Sequence, residues 1–241
     1  MAFFPASSTY PSMLGELYSA AFTAPAFNWL CSPAVTELET IVLDWLAKIL
    51  ALPDCFLSQG EGGGVIQGSA SEAVVTVMIA ARERFLKQIV GDLQGDEAED
   101  KKAFIQSCLV ALGSEEAHSG TAKAAKILGL RYRSIASTLK DDLALTGRGL
   151  QSALDDCKRE GLHPFYLTAT LGTTATCAID RFEEIKGITK SHPELWIHVD
   201  AAYAGAALVC EEYQHLARPF DAFDSFNINM HKWLLTNFDA R

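Results

Sequence analysis

The chain has 241 residues, 49 % of them hydrophobic and 21 % charged, a balance that excludes intrinsic disorder. At roughly 100–200 residues per domain, that length allows one large domain or two small ones. Thirty acidic against 20 basic side chains give a formal net charge of −10 with no Lys/Arg run, which argues against a nucleic-acid surface and a polybasic membrane anchor.

The N-terminus is apolar, but its first positive side chain is Lys48, so it lacks the basic start of a secretory signal. Leu17 to Thr36 carries no charge, yet Pro25, Asn28 and Pro33 interrupt it, making a poor bilayer span. A cytoplasmic location is expected. Thr36-Glu-Leu-Glu39 has the capping-box spacing, and Leu38, Ile41, Val42, Trp45 and Ile49 follow at helical intervals. After glycines at 60, 62, 63 and 64, Val65-Ile66 reads as a short strand, and Gly68-Ser-Ala-Ser71 leads into a long helix, Glu72 to Val90. Gly91 to Lys102 reads as a charged surface connection.

Beyond it, strand candidates at Cys108–Leu112, Arg131–Ile135, Phe165–Thr170, Leu195–Val199 and Phe223–Ile228 alternate with helical stretches near 119–128, 149–159 and 181–190. That alternation predicts an α/β fold, a largely parallel sheet covered by helices. The six cysteines form no CxxC pair and read as buried free thiols in a reducing compartment.

In such sheets ligands bind beyond the carboxyl ends of the strands. There the sequence places Gly68-Ser-Ala-Ser71, Gly172-Thr-Thr174, Asp200-Ala-Ala-Tyr203 and Asn229-Met-His-Lys232. Hydroxyls beside free N–H groups at a helix start make a phosphate cradle, or equally a plain N-cap. No P-loop, GxGxxG or GxSxG pattern occurs. Asp200 is either a turn cap or a functional anion. Lys232, between His231 and Trp233, is either a snorkelling lysine or a desolvated, nucleophilic amine. His118, after the first strand of the series, is on its own more often structural. Together these residues meet the needs of pyridoxal 5'-phosphate: a phosphate cradle, a Schiff-base lysine, a carboxylate for the pyridine nitrogen and a flat partner for the ring. A metal-dependent hydrolase using His198, Asp200 and His231 or His118 is the competing enzyme class, but it leaves Lys232 and the cradle idle.

Further motifs carry a resemblance: Phe3-Phe-Pro-Ala-Ser-Ser-Thr-Tyr-Pro11, Ser32-Pro-Ala-Val-Thr-Glu-Leu-Glu39, Gly60 to Ala73, Ala117-His-Ser119, Ala169-Thr-Leu-Gly-Thr-Thr174, His198 to Gly205 and His231-Lys-Trp-Leu-Leu235. With them the sequence resembles the pyridoxal-phosphate-dependent group II decarboxylases, and most the aromatic-L-amino-acid branch. The resemblance implies a fold type I large domain, a mostly parallel sheet of the seven-stranded type with helices on both faces, here incomplete. It implies that Lys232 forms the Schiff base, Asp200 pairs with the pyridine nitrogen and His118 stacks on the ring facing the substrate carboxylate. Ala70, Ser71, Asn229 and His231 would help hold the cofactor, lined by Thr174 and Ala202. Phe3, Phe4, Pro5 and Ala6 match the family's substrate-binding stretch, and Phe27 a residue reaching across a dimer interface. The expected activity is decarboxylation of an aromatic L-amino acid to its amine by a homodimer. An aldehyde-forming variant and an inactive cofactor-binding fragment are the alternatives.

The match departs at Met230, where the family usually has proline, and at Ala6 and Phe3, which replace threonine and tyrosine. On the resemblance, residues 1–35 are a remnant of an N-terminal dimerisation and substrate segment, and 36–241 a cofactor-binding large domain. The family's small domain, mobile loop and antiparallel strand after the lysine fall outside these residues. The chain alone is therefore expected to be poorly stable, with exposed strand edges and little decarboxylase activity.

Overall fold

The computed structural model describes residues 6–91 and 93–238. Its centre is one five-stranded sheet, built from β1 (Leu109–Ser114), β2 (Arg131–Ile135), β3 (His163–Thr170), β4 (Trp196–Asp200) and β5 (Ser225–Asn227). The order is β2-β1-β3-β4-β5 and every pairing is parallel. The chain thus leaves β1 for one edge and then crosses back to build toward the other, which places a topological switch point between β1 and β3.

Helices α1 (Tyr10–Phe22), α2 (Pro33–Ile49), α3 (Ala70–Val90), α4 (Gly95–Cys108), α5 (Gly120–Ile127), α6 (Gly147–Arg159) and α7 (Phe182–Thr189) supply the layers, and α8 (Met230–Trp233) is a single turn. Side chains alternate across a strand, so each strand feeds both layers. Val110, Leu112, Leu167, Ala169, Ile197 and Val199 pack with Leu150 and Leu154 of α6 and Phe182 and Ile185 of α7. Leu109, Ala111 and Tyr166 face the other way, onto Met78, Ala81 and Phe85 of α3 and Ala124 and Ala125 of α5. The parallel α/β sandwich expected from the alternation is therefore present, with five strands of the seven-stranded type.

Several local expectations are corrected. Val65-Ile66 is not a strand: both residues are exposed, and the four neighbouring glycines supply no side chains to pack. The Thr36–Glu39 capping box does not form, because α2 starts three residues earlier with Pro33 in its first turn. Glu39 instead accepts the Ile66 amide at 2.7 Å. Gly91–Lys102 is largely helical, since α4 begins at Gly95 with Asp96 and Glu97 in its first turn and buries Ala98 and Ile105. All six cysteines are free, but four of them (31, 55, 177 and 210) are exposed and only Cys157 is buried. No helix among the described residues is long and apolar enough to cross a membrane.

Candidate active site

A cavity of about 280 Å³ opens at the carboxyl ends of the strands. The loops after β1, β3, β4 and β5 each contribute to it, joined by the start of α3 and by Ala6. Of the residues singled out from sequence, Ala6, Ala70, Ser71, His118, Thr174, Asp200, Ala202, Asn229, His231 and Lys232 all line this one pocket. Phe27 does not; it stands on the surface, 77 % exposed. Phe3, Phe4 and Pro5 lie outside the described residues.

At the start of α3 the two readings of the hydroxyls divide between two serines. Ser69 is the N-cap, accepting the Glu72 amide at 3.0 Å. Ser71, the second residue of α3, is left to face Gly120. A Cβ on Gly120 would stand 3.0 Å from His118 Nδ1 and 3.5 Å from Ser71 Oγ, so glycine keeps this corner open. His118 Nδ1 accepts the Gly120 amide at 3.0 Å, which in a neutral ring puts the proton on Nε2.

Asp200 closes β4, only 8 % exposed, and its Oδ1 accepts the Ala202 amide at 3.1 Å. The turn-cap expectation is met without removing the carboxylate from the pocket. Beside it, Thr170 is the register partner of Asp200 on β3, and Gly172 follows with φ at +85°. Asn229 donates its backbone amide to Ala202 at 3.2 Å, and Lys232 donates its own to Asn229 at 3.0 Å. The lysine turn is thereby tied to the aspartate strand. Trp233 stacks on Tyr203 with centroids 5.0 Å apart, and buried His231 meets Phe238 edge-on at 4.8 Å.

Two buried polar atoms of the pocket, Thr170 Oγ1 and Asn229 Oδ1, have no hydrogen-bond partner among the described residues. Such groups are costly unless something polar meets them, so the cavity is shaped for a polar guest. A hydroxyl-bearing helix start, a buried carboxylate, an imidazole and a lysine around one space fit pyridoxal phosphate. The metal reading fits less well. Both ring nitrogens of His198 are engaged, by Ser225 and Asn227 at 2.9 Å, and no three His, Cys, Asp or Glu among the described residues converge as a metal site.

Sequence reasoning missed Thr121, Thr170 and Phe238 as pocket residues. Thr170 had a readable signal, since it shares the β3 face with Thr168 and ends an apolar run. The N-terminal docking had none. Ser7 donates both its amide and its hydroxyl to the His231 carbonyl, and Thr9 donates to that of Leu235, which is how Ala6 reaches the pocket.

The family model for the pyridoxal-dependent decarboxylase conserved domain matches residues 1–241. Aromatic-L-amino-acid decarboxylase of Bos taurus is 47 % identical over 99 % of this chain, which corresponds to 48 % of that protein. Among solved structures, Catharanthus roseus tryptophan decarboxylase in complex with L-tryptophan superposes with a TM-score of 0.88 at 40 % identity, covering 98 % of this chain and 48 % of that one. Rhodiola rosea 4-hydroxyphenylacetaldehyde synthase gives 0.89 at 38 %, with the same two shares. The chain spans about half the length of the curated relatives it matches.

Proposed function

The chain belongs to the pyridoxal-dependent decarboxylase family, and from that premise we propose that it is the cofactor-binding part of an enzyme that decarboxylates an aromatic L-amino acid. The observation that carries the reading is the meeting of Lys232, Asp200, His118 and Ser71 in one pocket, from four separate segments of the chain. Pyridoxal phosphate, when bound, supplies a conjugated ring that accepts the electron pair left at Cα as CO₂ departs.

In this reading Lys232 would hold the cofactor covalently through its side-chain amine. Asp200 holds a proton on the ring nitrogen, because a nearby anion favours the charged form by about 1.4 kcal/mol per pKa unit. Ser71 and the first turn of α3 bind the phosphate, supported by the positive end of a 21-residue helix. His118 presents Nε2–H toward the substrate carboxylate from the pocket mouth. Thr174, Ala202, Asn229 and His231 complete the cofactor wall, and Ala6 lines the substrate side.

The branch of the family favours an aromatic substrate, by likeness to the Bos taurus and Catharanthus roseus enzymes. The equal likeness to an aldehyde synthase supports a second reading, in which the product is an aldehyde. A homodimer is supported by α1, which buries none of its residues here while exposing Tyr10, Leu14, Leu17 and Phe22, with Phe27 just beyond. Six free cysteines support a reducing, cytoplasmic setting.

The deciding experiment is an absorption spectrum of the chain with added pyridoxal phosphate, beside Lys232→Ala. A lysine-dependent band removed by borohydride is expected; identical spectra for the two proteins would refute the reading. Amine against aldehyde, peroxide and ammonia then separates the two products.

A further inference from the structure

Two residues before Asp200, on the same face of β4, lies a histidine that the proposed reaction does not use. His198 is fully buried, and its ring stacks on Tyr166 with centroids 6.1 Å apart. Its Nε2 is 2.9 Å from the end of the Asn227 side-chain amide, and its Nδ1 is 2.9 Å from Ser225 Oγ. That hydroxyl also accepts the Trp196 indole N–H at 2.7 Å. Trp196, Ser225, His198 and Asn227 thus form one series of hydrogen bonds across β4 and β5. Burial pushes the imidazole toward its neutral form, against the pull of the Asp200 carboxylate.

The series spans a weak place in the fold. β5 has three residues, pairs only with β4 among the described residues, and leads within five residues to Lys232. It pairs with β4 over His198–Ser225, Val199–Phe226 and Asp200–Asn227, and the backbone bonds at its ends run from Asp224 to Ile197, Ala201 to Asn227 and Asn229 to Ala202.

We infer that His198 is a positioning residue, whose imidazole, held between Ser225 and Asn227, locks Asn227 to β4 and so fixes the turn carrying Lys232 relative to Asp200. A neutral ring also leaves the Asp200 charge uncompensated from within the sheet, so the carboxylate remains available to a cation in the pocket. A cationic ring there would compete for it. The inference rests on the pocket being a cofactor site of the kind proposed above, but its geometry can be tested without cofactor.

The test compares the parent chain with His198→Leu, which breaks the series, and His198→Gln, whose amide keeps one donor and one acceptor. In ¹⁵N NMR the parent His198 should remain a neutral imidazole from about pH 5.5 to 8. Amide exchange at Ala201 and Asn229 should quicken about tenfold in His198→Leu, return toward the parent rate in His198→Gln, and leave β1 and β3 unchanged. With pyridoxal phosphate as probe, affinity read from the Lys232-dependent band should weaken about tenfold in the leucine variant and recover in the glutamine variant. A titrating ring, or unchanged exchange at Ala201 and Asn229, overturns the inference. If the parent itself gives no lysine-dependent band, the proposed function falls, while the NMR and exchange data still decide the role of His198.

Discussion

Ser7 and His231 are joined by a 2.7 Å backbone hydrogen bond across 224 positions of sequence, reinforced by the Ser7 hydroxyl at 3.0 Å to the same carbonyl. The N-terminal segment is thus clamped to the turn that bears Lys232. Proline at position 7 removes both donors, whereas alanine removes only the hydroxyl. Pyridoxal phosphate affinity should fall about fivefold in Ser7→Pro, the equivalent of one lost hydrogen bond, and less in Ser7→Ala. Equal affinities in all three proteins would show that the clamp does not support the site.

Asp200→Asn tests the carboxylate directly. The substitution keeps an acceptor for the Ala202 amide, so the fold and cofactor binding should persist. Turnover of the assembled enzyme should drop by about 100-fold or more, because a neutral amide no longer holds a proton on the ring nitrogen. An unchanged kcat would remove Asp200 from the chemistry.

Asp180 gives a pH signature. It is 2 % exposed, with Oδ1 and Oδ2 accepting the Leu145 and Thr170 amides at 2.7 Å each. Burial outweighs those two bonds and its pKa is pushed up to about 7, from an ordinary 3.8. The folded state then holds this proton more tightly than the unfolded chain does. Its contribution to stability is full below about pH 4 and is lost as pH rises through about 7, at up to about 1.4 kcal/mol per pH unit. Asp180→Asn should abolish that slope while costing about 1–3 kcal/mol at low pH, since one of the two amides loses its acceptor. Urea melts at several pH values measure both effects; parallel slopes in the two proteins would contradict the assignment.

Gly172 and Gly187 form a matched pair. At Gly172 φ is +85° and an added Cβ would come within 2.5 Å of Ala204 Cβ, whereas at Gly187, inside α7, it would meet nothing within 4 Å. Gly172→Ala should cost about 2 kcal/mol or more, and Gly187→Ala should gain about 0.5–1 kcal/mol. Chemical denaturation of the two variants reads the difference. A Gly172→Ala protein as stable as the parent would mean that the loop after β3 relaxes freely.

The sheet was legible because β1, β3 and β4 are largely apolar runs, and the pocket because a parallel sheet collects its loops at one end. Thr174, Asp200, Asn229 and Lys232 could be gathered on that rule. What stayed hidden depended on partners far away in sequence. The charged composition of Gly91–Lys102 masked α4, whose burial rests on Ala98 and Ile105. Val65-Ile66 looked like a strand but has no ladder to join. The roles of Ser69 and Ser71 were indistinguishable until the Glu72 amide chose one of them. No spacing rule brings Ser7 to His231.

The three-residue length of β5 has a consequence for how the molecule fails. Thermal opening begins where a sheet has fewest supports, and the segment just beyond this outermost strand carries Lys232. Heating should therefore release the lysine turn while β1, β3 and their covering helices are still intact. Loss of the site would precede loss of the fold, and the temperature of inactivation would lie below the melting temperature of the domain.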